Sequence, residues 1–414
     1  MVSNSKYNSI LAINGGDPVR EKPLYYGHQW ITDDDVSEVV RVVKSDYLTC
    51  GPEIGLLEEE LCNYTGASYA VVVSNGTAAL HCACLAAGIG EGDEVITTPL
   101  TFAASANCVR YCDGTVVFAD VDIDTYNISA VDIRHKITKR TKAIIAVDYT
   151  GQAVACDEIR SICDEHGLLF IEDAAHAIGT EYNGKRTGNI ADITCFSFHP
   201  VKSITCGEGG AIMTNNPKLY KRLLLARTHG ITHDKRDFCL PRDVINDGDH
   251  DNAAPWYYEQ ISLGYNYRLT DFQSALLRSQ LSRIDHIKAK RKEIVKKYDQ
   301  VFSAMPELVL QKEIPESDTC RHLYILRLNL ELLRCDRRGF FDAMRAENIY
   351  CQVHYIPVYW FPDYRRMGYH QGICPNAETI YRSILSLPLY PTMTDKDVED
   401  VINAVKKVVS AYRL

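Results

Sequence analysis

From residue 69 onward the chain alternates short apolar runs with stretches of helical period. The runs occupy residues 69–73, 94–98, 115–119, 143–147, 168–172, 193–198 and 211–214, and periodic segments such as 77–87 and 157–166 lie between them. Strands whose apolar residues are continuous are covered on both faces. When helices separate them, they predict an α/β domain on a mostly parallel, seven-stranded sheet. Such sheets bind ligands beyond the carboxyl ends of their strands. Three runs end in polar or small residues: Ser74-Asn-Gly-Thr77, Asp173-Ala-Ala-His176, and the segment that carries Lys202. Three strand ends are therefore expected to converge on one site.

The flanks have a different pattern. The first 30 residues are irregular and hold an aromatic cluster at 24–30. Asp33-Asp-Asp35 opens a helix with acidic residues in its first turn, expected to run to about residue 44. Tyr47-Leu-Thr-Cys-Gly-Pro52 has turn chemistry and leads into a helix through Leu56, Leu57, Leu61 and Tyr64. Residues 230–254 are polar and are expected to form a surface excursion, and one long helix is expected over 270–302. Strand-like segments at 322–328 and 350–354 then alternate with helices near 337–347, 377–385 and 394–409, which predicts a smaller α+β domain. The chain thus divides into residues 1–255, an N-terminal segment and large domain, and 256–414, the long helix and small domain.

Composition narrows the function classes. With 46% hydrophobic and 24% charged residues the chain has the make-up of an ordinary globular protein. Its net charge of −9 and pI near 5.8 argue against nucleic acid as a main partner, since polyanions need a basic face. No apolar run reaches the about 20 residues that span a bilayer. Residues 1–23 lack the apolar core of a signal peptide, so a cytoplasmic location without a membrane partner is expected. The fifteen cysteines are dispersed, with no Cys-x-x-Cys pair, and Cys82-Ala-Cys84 sits in an apolar helical pattern. Free thiols and no metal site are expected.

Candidate chemistry concentrates in Phe196-Ser-Phe-His-Pro-Val-Lys202-Ser-Ile-Thr-Cys-Gly-Glu-Gly-Gly210. One lysine stands in a tight polar segment between two apolar runs. Desolvation there lowers the pKa of an ammonium and frees the neutral, nucleophilic amine. The usual purpose is a Schiff base with an aldehyde cofactor; an ordinary loop lysine is the alternative. The neighbours favour the first. The run resembles the lysine segment of the DegT/DnrJ/EryC1/StrS sugar aminotransferases, whose pattern is close to Ser-Phe-His-x-x-Lys-x-Ile-Thr-x-x-Glu-Gly-Gly. Ser197, His199, Lys202, Glu208, Gly209 and Gly210 stand where that pattern puts them. The resemblance implies a fold-type I transferase that uses pyridoxal 5'-phosphate (PLP), with Lys202 as the residue that binds it covalently and Ser197 on its phosphate.

Further roles come from the same resemblance. Gly76 and Thr77 open a helix and would hold the phosphate with Ser197, because backbone N–H groups approach an anion only where side chains are small; Ser, Asn and Thr are also common caps. Asp173 ends an apolar strand, an expensive place for a carboxylate without a cationic partner. The protonated pyridine nitrogen would be that partner, and a helix N-cap is the alternative. His176 would lie near the cofactor or serve as a structural histidine, and Phe102 would stack on the pyridine face or fill the core. Asn266 would reach the cofactor phosphate of a neighbouring subunit, which implies a homodimer with shared active sites.

Val147-Asp-Tyr-Thr-Gly-Gln152, Gln352-Val-His-Tyr-Ile-Pro-Val-Tyr359 and Ser386-Leu-Pro-Leu389 most resemble the branch that transaminates a UDP-linked 4-keto-6-deoxy sugar in pseudaminic acid biosynthesis. That branch implies L-glutamate as amino donor. It places the substrate among Tyr26, the turn Asp46, Tyr47, Leu48 and Thr49, and the loop Tyr359, Trp360, Phe361 and Pro362. Aromatic rings suit the uracil and the sugar face; small-domain core or subunit interface is the alternative for these clusters. Cys206 and Cys320-Arg321 depart from the family pattern and bear on which sugar is bound, not on the chemistry. Other UDP- or dTDP-linked 4-keto-hexoses are alternative substrates, and a non-catalytic PLP-binding regulator is an alternative of another class. A related dehydratase group carries histidine in place of the lysine, and Lys202 argues against it.

Overall fold

A computed structural model describes residues 10–248 and 252–414. The central sheet has seven strands: β1 (Tyr69–Val73), β2 (Glu94–Thr97), β3 (Thr115–Phe118), β4 (Thr141–Val147), β5 (Leu169–Asp173), β6 (Ile193–Ser197) and β7 (Gly210–Thr214). Their order is β1-β7-β6-β5-β4-β2-β3. Pairing is parallel except at β7, which runs antiparallel to both β1 and β6. The expected architecture holds, with strand ends displaced by a residue or two.

The helices show why the strands are apolar throughout. Helix α1 (Asp33–Val43) packs on the helix at Asp271–Leu281, and α2 (Pro52–Thr65), α3 (Gly76–Ala87), α4 (Ala104–Arg110), α5 (Ala130–Lys136), α6 (Cys156–His166) and α7 (Pro217–Arg227) flank the sheet. Val71 and Val73 pack with α3 on one face, whereas Ala70 and Val72 meet Leu57 and Leu61 of α2 on the other. Both parities of each strand are therefore buried. Among the described residues no helix is long and apolar enough to cross a membrane.

The helix expected over 270–302 is two: α8 (Asp271–Leu281) and α9 (Ile284–Phe302). The break carries neither Gly nor Pro. Ser282 donates its hydroxyl to the Ser279 carbonyl at 2.7 Å, and Arg283 leaves helical geometry with its guanidinium on Asp35 at 2.9 Å. A side chain that draws hydrogen bonds away from the helical ladder is a recognised cause of such kinks. Leu277, Leu281, Ile284 and Ile287 join the large-domain core, and Ile294, Tyr298 and Phe302 join a second one.

That second core lies under a three-stranded antiparallel sheet, β8 (Leu308–Leu310), β9 (Tyr324–Leu328) and β10 (Ile384–Leu387), with β9 in the middle. Helices α10 (Arg337–Ala346), α11 (Pro375–Ser383) and α12 (Asp395–Tyr412) belong to the same region. Leu11 and Leu24 from the N-terminal segment are buried in this core. Residues 384–385, expected to end a helix, instead begin β10, because antiparallel pairing with β9 captures them. The strand expected at 350–354 reduces to Ile349–Tyr350, paired with Leu24–Tyr25, and a single bridge from Gln352 to Ser386. His354 and Tyr355 turn to the cavity described below. Of the polar excursion expected at 230–254, residues 249–251 lie outside the described residues. The rest includes Ile231–Thr232, paired with Glu259–Gln260, and a short helix at Arg242–Ile245.

Candidate active site

The carboxyl ends of β1, β2, β4, β5 and β6 open on a cavity of about 750 Å³. Tyr26, Tyr111, Tyr267, His322, His354 and Tyr355 complete its wall.

At one end β1 turns into α3. Asn75 caps the helix by accepting from the Ala78 N–H at 2.8 Å. The N–H groups of Gly76 and Thr77, first in the helix, have no intrahelical acceptor and sit at the positive end of its dipole. A Cβ on Gly76 would lie 2.8 Å from Cβ and 3.0 Å from Oγ of Ser197. Across the gap, a Cβ on Gly210 would lie 2.5 Å from the Asn75 carbonyl oxygen. Two glycines thus let the ends of β1 and β6 close in, with the Ser197 hydroxyl beside the helix start. This cradle fits a phosphate.

Asp173 ends β5 and is 3% exposed. Its carboxylate accepts from Ser105 Oγ at 2.6 Å and from the Ala175 N–H at 3.1 Å. Burial raises its pKa, while Ser105, Ala175 and the charge of Lys202 pull it back. A buried carboxylate held by neutral donors is suited to a protonated ring nitrogen. Ser105 was not among the site residues expected from the sequence. Its signal was a second hydroxyl, one helical turn from Thr101, in an apolar stretch, and the two hydroxyls are 2.7 Å apart.

Lys202 lies in the loop between β6 and β7. The loop is closed at its base by the Phe198 N–H on the Gly209 carbonyl at 2.9 Å and braced by Thr205 Oγ1 on the Phe198 carbonyl at 2.8 Å. Phe198 and Ile204 anchor it in the core. Burial lowers the Lys202 pKa to about 8, against the opposing pull of Asp173. Its amine is therefore far more available at neutral pH than that of an ordinary lysine.

Opposite stands a wall of imidazoles. His176 Nε2 is 3.1 Å from Tyr355 Oη, and its ring centroid is 4.6 Å from that of His322. Nδ1 of His176 and of His322 are buried without hydrogen-bond partners among the described residues. His354 Nδ1 meets Ser386 Oγ at 2.7 Å. Burial, reinforced by the Lys202 charge, depresses all three pKa values, that of His354 to about 4, so the rings are neutral. Phe102 presents a 63% exposed ring to the cavity, a face that a planar ligand would cover. His322, His354 and Tyr355 line the cavity without having been expected there from the sequence. The last two stood inside the motif Gln352-Val-His-Tyr355, which was their available signal.

The structure brings Tyr26, Gly76, Thr77, Phe102, Asp173, His176, Ser197 and Lys202 onto this one cavity. Other expected residues lie elsewhere. Asn266 is exposed, with its backbone bridged to Thr228. Asp46, Tyr47, Leu48 and Thr49 form an exposed turn held by the Asp271 N–H on the Leu48 carbonyl at 3.0 Å. Tyr359 is a correction. It is fully buried, its hydroxyl donates to Glu378 at 2.7 Å, and its ring lies 5.5 Å from Phe118, so it packs the core instead of lining the cavity. Trp360 packs on Tyr381 at 5.2 Å, Phe361 lies against the same core, and Pro362 starts a short helix; none of them lines the cavity.

A sheet with one reversed strand and a lysine loop beside it is the frame of the fold-type I transferases. Within that class the chain belongs to the DegT/DnrJ/EryC1/StrS aminotransferase family, whose profile matches residues 29–406. It is 38% identical over 388 residues to the spore coat polysaccharide biosynthesis protein SpsC of Bacillus subtilis, covering 93% of this chain and 97% of that one. It is 36% identical over 396 residues to the UDP-4-amino-4,6-dideoxy-N-acetyl-beta-L-altrosamine transaminase of Campylobacter jejuni, covering 94% and 99%. Among solved structures, Helicobacter pylori PseC, an aminotransferase of pseudaminic acid biosynthesis, superposes with a TM-score of 0.85 at 30% identity, covering 94% of this chain and all of that one.

Proposed function

We propose that this sugar aminotransferase moves an amino group from L-glutamate to C4 of a UDP-linked 4-keto-6-deoxy sugar. The favoured substrate is UDP-2-acetamido-2,6-dideoxy-β-L-arabino-hexos-4-ulose of pseudaminic acid biosynthesis. The observation that carries the proposal is the Lys202 amine, with its pKa lowered to about 8, in one cavity with Asp173 and the cradle of Gly76, Thr77 and Ser197. The Campylobacter and Helicobacter relatives support the substrate class.

The enzyme is PLP-dependent, and PLP, when bound, supplies an electron sink for charge developing on the amino-bearing carbon. The chain supplies the rest. Gly76, Thr77 and Ser197 would hold the phosphate, Asp173 the ring nitrogen, and Phe102 and His176 the ring itself. Lys202 takes a proton from the α-carbon of glutamate and, in the reverse half-reaction, delivers one to C4 of the sugar. A base that works in both directions needs a pKa near the working pH, which burial gives Lys202. Neutral His176, His322 and His354 line the wall without competing for that proton. A homodimer belongs to the proposal, because Asn266 and the turn 46–49 lie off the cavity of their own protomer and are free to serve that of a second copy. A cytoplasmic location is proposed with it.

A second reading, another UDP- or dTDP-linked 4-keto-hexose, is kept because the Bacillus relative, 38% identical against 36% for the Campylobacter one, is named only for spore coat polysaccharide biosynthesis. One experiment separates the two. Holoenzyme is treated with L-glutamate and then with a panel of 4-keto sugars while the visible absorption of the bound cofactor is followed. Loss of the band with glutamate and its return with the UDP-4-keto-6-deoxy-N-acetylhexosamine supports the first reading. Return with a different keto-sugar alone selects the second, and no loss with glutamate overturns both.

A further inference from the structure

The sheet fixes the backbone of Asp173 on both sides. Its carbonyl accepts from the Asp148 N–H at 3.1 Å, and the next residue, Ala174, donates its N–H to the Cys195 carbonyl at 2.9 Å. The carboxylate is held separately. Oδ1 takes the Ala175 N–H at 3.1 Å, and Oδ2 takes Ser105 Oγ at 2.6 Å. Ser105 stands in the first turn of α4, three residues beyond Phe102, whose ring faces the cavity. Asp173, Ser105 and Thr101 are all buried, so solvent does not replace any of these bonds.

The hydroxyl proton of Ser105 has three oxygens within reach: Asp173 Oδ2, Thr101 Oγ1 at 2.7 Å and the Phe102 carbonyl at 3.4 Å. The shortest contact is to the carboxylate, and a charged acceptor makes the strongest bond. Ser105 therefore donates to Asp173, and the proton between the two hydroxyls comes from Thr101. Together the hydroxyls form a chain that points at the carboxylate. This is the arrangement an ionised acid demands. A protonated Asp173 would carry its proton on Oδ2, because Oδ1 faces a backbone N–H that can only donate, and both hydroxyls would have to turn round. Burial and the neighbouring carboxyls of Asp148 and Glu172 work against ionisation, whereas Lys202 works for it.

We propose that Ser105, backed by Thr101, is a positioning residue for transamination: it keeps the Asp173 carboxylate ionised and aimed into the cavity, so that a ring nitrogen paired with it keeps its proton. The inference rests on the role given above to Asp173 as partner of the cofactor's ring nitrogen. Ser105 acts through that carboxylate and so on the electron demand of the ring. It governs how readily a proton leaves carbon, and it leaves substrate binding alone.

The test is NMR of holoenzyme loaded with PLP labelled at the ring nitrogen, whose resonance separates the protonated from the bare form. Wild type should show the protonated nitrogen, and Asp173→Asn marks the bare limit. Ser105→Ala should shift toward that limit, while Ser105→Thr, which keeps the hydroxyl, should stay at the wild-type position. Thr101→Val removes only the support of Ser105 and should shift the resonance less. In steady-state assays Ser105→Ala should lose roughly 10- to 150-fold in kcat, the worth of one hydrogen bond to a charged group, with both KM values within about threefold. A fully protonated nitrogen in Ser105→Ala, or a loss in KM instead of kcat, would overturn the inference and leave the proposed function standing. If Ser105→Ala does not fold, Thr101→Val decides: a resonance unmoved from wild type would overturn it. A bare nitrogen in the wild type would remove Asp173 from the role it has in the proposed function, and this inference with it.

Discussion

Gly76→Ala is the most direct probe of the phosphate cradle. Its new Cβ would stand 2.8 Å from the Ser197 Cβ, closer than non-bonded carbons tolerate, so either the start of α3 or the end of β6 must move. Forcing a methyl into a packed contact costs about 1–3 kcal/mol of stability. The larger effect is local. The Ser197 hydroxyl, 3.0 Å from the new carbon, is pushed away from the helix start, and one hydrogen bond to a charged group, about 1.5–3 kcal/mol, is lost. That corresponds to roughly a 10- to 150-fold weaker affinity for PLP. The assay strips the cofactor, then titrates apoprotein with PLP and, separately, with pyridoxal, which lacks the phosphate, following the visible absorption. PLP affinity should fall within that range while pyridoxal affinity changes less than about threefold. Equal losses for both ligands, or no loss for PLP, would refute the cradle.

Two other outcomes follow from the same geometry. Only the neutral amine of Lys202 attacks an aldehyde, and burial lowers its pKa to about 8, so the rate of PLP capture by apoprotein should rise with pH to about 8 and then level off. A rate still climbing tenfold per unit at pH 9 would show an unperturbed lysine. In the small domain Lys407 and Glu347 form a buried pair at 2.8 Å, and Glu347 also accepts from the Ala12 and Val19 N–H groups, each at 2.9 Å. Lys407→Met strands that carboxylate and should cost about 3–5 kcal/mol, read as a lower urea midpoint, with partial recovery when Glu347→Gln is added. An unchanged midpoint would contradict it.

The sheet was legible because seven continuous apolar runs are a strong signal, and the lysine segment because so many of its positions are chemically constrained at once. The polar residues after each strand were legible for the same reason, since the ligand edge of a parallel sheet is a property of its topology. What the sequence hid depends on distant contacts. An aromatic run such as 359–362 carries no record of which way its rings face, and Phe118 and Glu378 are what draw Tyr359 inward. His322 and His354 reach the cavity only because the small domain folds back over the strand ends. The kink at residues 282–283 comes from Asp35, far away in the chain, with no local breaker to announce it.

The reversed strand β7 has a kinetic consequence. It pairs residues 210–214 with 69–73, so β1 finds a partner only after most of the large domain has been made. Contacts this distant in sequence form late, because the entropy of closing so large a loop must be met first. Gly76 opens the helix that follows β1 and Ser197 ends β6, the two strands that β7 joins, so neither half of the anion site exists as a site until that last strand is threaded between them. Capture of a phosphorylated ligand by a refolding chain should therefore time the final closure of the sheet.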